Sequence, residues 1–246
     1  YHNLWQLMLL EKLSDYNTIV LHDFFEFKGG GERLVDTLCQ ELDLDLAYGY
    51  RSEKSYELGG FKGRIFDLKE RDGADVMGWR TLRRFRAFRS GTKFLEKYQT
   101  VIYSGIYSPL AVRNHPSGRN IYYCHTPPRF LYDLNESYLS ELPFWRRIPL
   151  FNTHLLAFKP LYEEAVKKMD IIVANSDNVK NRIQKYLGRD SVVIHPPCAV
   201  ESFKWRGQGD YYLSTGRLIP LKRVELIVDA FLRMPEKRLV ITSDGP

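Results

Sequence analysis

Apolar positions fall along this chain in two alternating rhythms. Short runs of consecutive apolar residues, many of them β-branched, are separated by longer segments in which apolar residues recur every three or four positions. The first rhythm is that of buried strands and the second that of amphipathic helices. The run at 18–22 reads as a strand; a Gly-rich turn follows, then a helical pattern from about Glu32 to Leu42. Strand-like runs recur at 44–48, 101–104, 120–124, 170–174 and 191–195, with helical patterns at 161–169 and 178–187. Strands alternating with helices predict a parallel sheet covered on both faces, an α/β fold of the doubly wound, Rossmann-like kind.

The character changes after Pro196-Pro197. A polar connection ending in Gly207-Gln208-Gly209-Asp210 leads to a new strand at 211–215, a helix at 224–234 and a strand at 238–242. One βαβ unit of this size cannot bury a core of its own, so it reads as the opening of a second domain. The expected organisation is an extension at 1–16, a first domain at 17–198, a linker at 199–210 and the beginning of a second domain at 211–246.

Composition narrows the picture. With 246 residues, 44% hydrophobic and 27% charged, the chain is neither disordered nor collagen-like. No apolar run approaches the ~20 residues needed to cross a bilayer. Leu7-Met8-Leu9-Leu10 has no basic leader before it and no small-residue cleavage site after it, so it does not read as a signal peptide, and Tyr1 does not read as the natural start. Cys39, Cys124 and Cys198 are odd in number and widely spaced, which predicts buried free thiols in a reducing compartment, the cytoplasm.

The charge is uneven. Residues 62–97 hold eleven Lys/Arg against five Asp/Glu, an excess of six that equals the net charge of the whole chain. Such a patch points to an anionic partner, a phosphate-bearing substrate or acidic lipid headgroups ahead of nucleic acid. Within it, Trp79, Leu82, Phe85 and Phe88 form one helical stripe among arginines. This is either a basic amphipathic helix for an anionic membrane or a helix that faces the core with a charged outer side.

Four groups of residues could carry chemistry, each with a plainer alternative. Gly29, Gly30 and Gly31, followed by Glu32, would let backbone approach a ligand and offer free helix amides to an anion, or would simply make a tight turn. His125 follows a strand directly, where open α/β sheets bind ligands; with Arg129 it could hold a hydroxyl or phosphate, or it could be a core histidine before a Pro-Pro turn. Gly216, Arg217 and Lys222 flank the start of the helix at Val224, an arrangement that suits a diphosphate but also describes a solvated basic loop. His22 and Asp23, after the first strand, could be acid/base residues at a cleft or turn formers. The six histidines form no metal-ligand spacing, so no metal is expected.

In order, these motifs resemble the family 4 glycosyltransferases, most closely the bacterial mannosyltransferase-like members that build surface polysaccharide. The resemblance runs from about Thr18 to Pro246. It rests on His22-Asp23 with Gly30-Gly31-Glu32-Arg33, Tyr123-Cys124-His125-Thr126-Pro127 with Arg129, Ala174-Asn175-Ser176, Ile194-His195-Pro196-Pro197, Gly216-Arg217-Leu218 with Lys222, and Asp244-Gly245-Pro246. It implies a GT-B architecture: two Rossmann-like domains across a cleft, no essential metal and retention of anomeric configuration.

By position, the resemblance implies that Asp23, Gly29–Glu32 and Arg129 line the acceptor side. His125 would touch the transferred sugar or assist the chemistry, and Gly216, Arg217 and Lys222 would bind the donor diphosphate. Cations there stabilise the leaving group and lower the barrier by several kcal/mol. No cofactor is implied beyond the substrate, a nucleotide sugar such as GDP-mannose or a UDP-sugar. The implied partners are a glycan or lipid-linked acceptor and an anionic membrane surface at 62–97, with no nucleic acid. The family's glutamate pair would follow Pro246, so the natural polypeptide is expected to continue for on the order of another hundred residues, and residues 1–246 alone to turn over little. A non-catalytic sugar- or lipid-binding domain and a nucleic-acid binder are the rivals from other classes.

Overall fold

Strand β1 (Thr18–Phe25) carries Ile19 and Leu21 on one side and Val20 on the other, all fully buried, because alternate strand residues point to opposite faces. A strand apolar on both faces needs cover on both. The computed structural model, which describes residues 17–68, 79–140, 157–198 and 200–243, supplies it. β1 lies within a parallel sheet with β2 (Asp45–Arg51), β3 (Ile65–Asp67), β4 (Thr100–Ser104), β5 (Arg119–Cys124), β6 (Ile171–Ala174) and β7 (Val192–Val193), in the order 3-2-1-4-5-6-7. This is the expected α/β, Rossmann-like fold. The chain reverses its winding between β1 and β4, the switch point outside which open sheets form a crevice.

One face of the sheet packs Val20, Leu46, Ile102 and Ile121 against helix α1 (Gly30–Leu42) through Leu34, Val35 and Cys39. The other packs Leu21, Val101, Tyr103 and Tyr122 against α2 (Trp79–Ser90), the 3-10 helix Ser108–Asn114 and α4 (Lys159–Lys167), with the short α3 (Asn135–Ser140) alongside in sequence. Helix α5 (Asp177–Leu187) has both ends marked in the sequence. Ser176 Oγ accepts from the Val179 amide, and Gly188 closes the helix in the left-handed region.

Two features differ from the sequence reading, and a third resolves an alternative it left open. Strand β3 is not signalled by periodicity; it is a three-residue edge held by Asp45, which accepts from the Arg64 amide and guanidinium and from Tyr98 Oη. Helix α1 starts at Gly30 rather than near Glu32, so Gly30 and Gly31 lie in its first turn. Helix α2 faces the core, one of the two readings its stripe allowed: Phe88 is fully buried, Phe85 packs beside it, and the Arg84 guanidinium lies 4.0 Å over the Phe24 ring. The Trp79 and Leu82 side chains of that stripe lie outside the described ones, as do residues 1–16. Among the thiols, Cys39 and Cys124 are buried, and burial pushes each up to about 12, whereas Cys198 is exposed. No described helix is long and apolar enough to cross a membrane.

A second compact unit begins at Cys198. Strands β8 (Tyr211–Ser214) and β9 (Arg238–Ile241) pair in parallel, joined through the 3-10 helix Pro220–Lys222 and helix α6 (Val224–Leu232). Val224 is its one buried apolar residue among those described.

Candidate functional site at the carboxyl ends of the strands

The strands that meet at the switch point bring together residues distant in sequence. In the β1–β4 register His22 stands opposite Ser104, and β5 runs beside β4 and delivers His125 just past its end. His22 Nδ1 lies 2.9 Å from the Ser104 backbone oxygen and 3.1 Å from its Oγ, and Ser104 Oγ lies 2.8 Å from His125 Nε2. Burial, and then the neighbouring His125 imidazole, hold His22 down at about 3, while the Ser104 and Phe24 backbone works the other way. Burial holds His125 down at about 4. Both rings are therefore neutral near pH 7.

Asp23 turns toward the loop after β4. Its Oδ2 accepts from the Ile106 amide and, at 2.8 Å, from Tyr107, and its Oδ1 accepts from Ser108 at 2.6 Å. Burial raises its carboxyl above the usual range, and these three donors oppose that shift. Gly105 makes the arrangement possible: it adopts φ 136°, and a Cβ there would run into the Asp23 carboxyl. Asp23 does not form the turn after its own strand: it lies within β1, and its carboxylate fixes the backbone of the loop after β4.

The glycine loop is also partly occupied. Gly29 is the extended N-cap of α1 with no side-chain cap, and the Glu32 carboxylate folds back over it, where a Cβ on Gly29 would meet Glu32 Oε2. A carboxylate from the helix itself thus stands at the N-terminus that an anionic ligand would use. Gly31 lies beside the site, where a Cβ would rest 3.4 Å from the His125 ring, an ordinary contact.

Arg129 does not present an uncommitted cation. Its guanidinium pairs with Asp133 at 2.8 Å, and Asp133 pairs equally with Arg182. The Asn175-Ser176 and His195 motifs act as fasteners. Asn175 Nδ2 donates to the His125 backbone oxygen at 3.0 Å, and exposed His195 sets its Nδ1 3.2 Å from the Asn175 oxygen. Tyr123 Oη donates to the Ile194 oxygen, and its ring lies against that of His125.

In the second unit Gly216 is not demanded by packing, because a Cβ there would find only Val224 Cγ2 at 3.9 Å. Arg217 and Lys222 are both exposed. The cation at the start of α6 is one the sequence reading passed over: Arg223, left-handed at φ 51°, which donates to Glu225 in the first turn at 2.8 Å. An apolar cavity of about 660 Å³ beside α6 is lined by Leu218, Ile219, Pro220 and Val224 among others, but by neither Arg217 nor Lys222. In the first unit a cavity of about 570 Å³ opens near the start of β5, among Arg89, Arg113, His115 and Lys168. It contains none of the expected site residues, and the convergent chemistry lies at the opposite ends of the strands. The described residues hold no cluster of metal-binding side chains.

Ser104, Gly105 and Asn175 are the residues of this site that sequence reasoning missed or left without a role. The only local signal for the first two was a Ser-Gly pair directly after a strand-like run. No protein-family model matches the sequence, and no curated protein matches it.

Proposed function

We propose that this chain is the acceptor-side domain and the beginning of the donor domain of a retaining, metal-independent glycosyltransferase. It would move a hexose, with mannose favoured, from a nucleotide sugar to a glycan or lipid-linked acceptor in polysaccharide synthesis. The observation that carries the reading is His125: half-buried at the carboxyl end of β5, beside the switch point, with Gly31 of the α1 first turn beside its ring. Arg217 and Lys222 would neutralise the donor diphosphate. The enzyme would work in the cytoplasm, peripheral to the membrane. Phe85 and Phe88 of α2 are turned inward, so contact with an anionic surface would run through exposed arginines such as Arg83 and Arg86 rather than through an inserted apolar stripe.

The test is transfer by the full natural polypeptide from GDP-mannose and UDP-sugars, with donors first ranked by thermal shift. Alanine at Arg217 or Lys222 is expected to lower kcat by about 10²–10³-fold, the scale of one lost donor to a developing anion. Unchanged transfer would defeat the assignment. One observation favours a non-catalytic sugar- or anionic-lipid-binding domain instead: both Asp23 oxygens are engaged, leaving neutral imidazoles at the switch point. Sugar or liposome binding without turnover of any donor would select that reading, and salt-sensitive binding to RNA in place of liposomes would select neither.

A further inference from the structure

His22, Ser104 and His125 form a chain whose hydrogens can be placed one by one. Both imidazoles are neutral, so each ring carries one hydrogen. The Ser104 backbone oxygen only accepts, so the His22 nitrogen 2.9 Å away, Nδ1, bears its hydrogen. That same nitrogen can approach Ser104 Oγ, at 3.1 Å, only as a donor. The hydroxyl hydrogen must therefore point elsewhere. Ser104 is 1% exposed, and the other partner of its hydroxyl among the described residues is His125 Nε2 at 2.8 Å. A buried hydroxyl hydrogen without an acceptor is strongly disfavoured, whereas donation to Nε2 gives it one and leaves His22 Nε2, bare and buried, as the unpartnered atom at the far end of the chain. His125 Nε2 is then bare and its hydrogen sits on Nδ1. That nitrogen meets no hydrogen-bond partner among the described residues, and unlike His22 Nε2 it is not sealed from solvent.

We infer that His22 and Ser104 are positioning residues that lock His125 in its Nδ1–H tautomer, presenting a hydrogen-bond donor, not a base, at the open end of β5. A donor there suits a sugar hydroxyl or a phosphate oxygen. That choice of ligand rests on the proposed function, while the proton placement does not.

The test is a long-range proton–nitrogen correlation spectrum of ¹⁵N-histidine-labelled protein at pH 7, with the His125 signals identified by their loss in His125→Asn. Expected are a protonated Nδ1 and a bare Nε2. Ser104→Ala should return the ring to the Nε2–H form that imidazole side chains prefer in water, and Ser104→Thr, which keeps the hydroxyl, should hold Nδ1–H. A protonated Nε2 in the unaltered protein, or the same tautomer in Ser104→Ala, overturns the inference. Should Ser104→Ala fail to fold, the unaltered protein and Ser104→Thr decide it. Transfer assays on the full polypeptide separate the two readings. Tautomers as stated with no turnover of any nucleotide sugar sink the proposed function alone. With turnover, Ser104→Ala should lower kcat about tenfold or more at little-changed KM, with recovery in Ser104→Thr; an unchanged kcat removes the positioning role.

Discussion

The segments β1–α1–β2 and β8–α6–β9 are the same local device, a strand, a helix and a parallel strand, with opposite fates. In the first, Ile19, Val20 and Leu21 are fully buried, and α1 adds Leu34, Val35 and Cys39 to the core. In the second, Tyr212 is 56% exposed, Leu213 54% and Leu232 75%, although these residues are no less apolar. The difference is the neighbourhood. β1 has a strand on each side and helices over both faces, whereas β8 has one strand beside it and one helix along its connection. Apolar pattern creates the elements, and only a second layer buries them.

This contrast can be broken most sharply by truncating one leucine in each unit. Leu21→Ala leaves a cavity in a closed core and is expected to cost about 3 kcal/mol, whereas Leu232→Ala should stay within about 0.5 kcal/mol. Urea unfolding of both variants of the 246-residue chain measures this, and equal losses would deny that the units differ in packing.

Nearly as large is the effect of pH on the first unit. His22 and His125 have folded-state values of about 3 and about 4, below the ordinary 6.5. The unfolded chain binds protons that the folded chain refuses, so this stability is complete above pH 6.5 and is lost as pH falls from there through about 4 for His125 and about 3 for His22. Between pH 7 and pH 5 the loss is on the order of 3 kcal/mol. The double variant His22→Gln, His125→Gln should show a visibly flatter dependence of urea midpoint on pH over that range, and a slope equal to that of the unaltered protein would contradict the burial argument.

Gly105→Ala comes next, at about 2 kcal/mol, since it forces a side chain into φ 136° and against the Asp23 carboxyl. Thermal denaturation would show it, and a neutral outcome would mean that the Asp23 loop is not a fixed part of the switch point. The smallest effect is expected at Arg129. Its ion pair with Asp133 is partly exposed, and Arg129→Ala should cost less than about 1 kcal/mol of stability. A lowered acceptor affinity with that stability intact would restore Arg129 to the site.

What could be read from the sequence follows the range of the interactions involved. Parallel strands and amphipathic helices were legible because their periodicities lie within ten or so neighbouring residues. His125 was legible as a candidate because it follows a strand. Its partners were not. Ser104, 21 residues away, has no local pattern that marks it, and although His22 was a candidate, nothing local shows that it meets Ser104, 82 residues on. The same holds for Asp23, whose carboxylate reaches amides 83 to 85 residues on, and for Arg129, whose pairing with Asp133 extends to Arg182.

By itself, then, the sequence determined the alternating α/β pattern, the change of character after Pro197 and the short list of residues with chemistry to offer. The tertiary structure alone decided which of them meet. Hydrophobic periodicity is a property of one segment, but parallel pairing puts segments side by side that the chain keeps far apart. Only when β4 lies between β1 and β5 does a serine stand between two histidines and Asp23 reach the loop after β4.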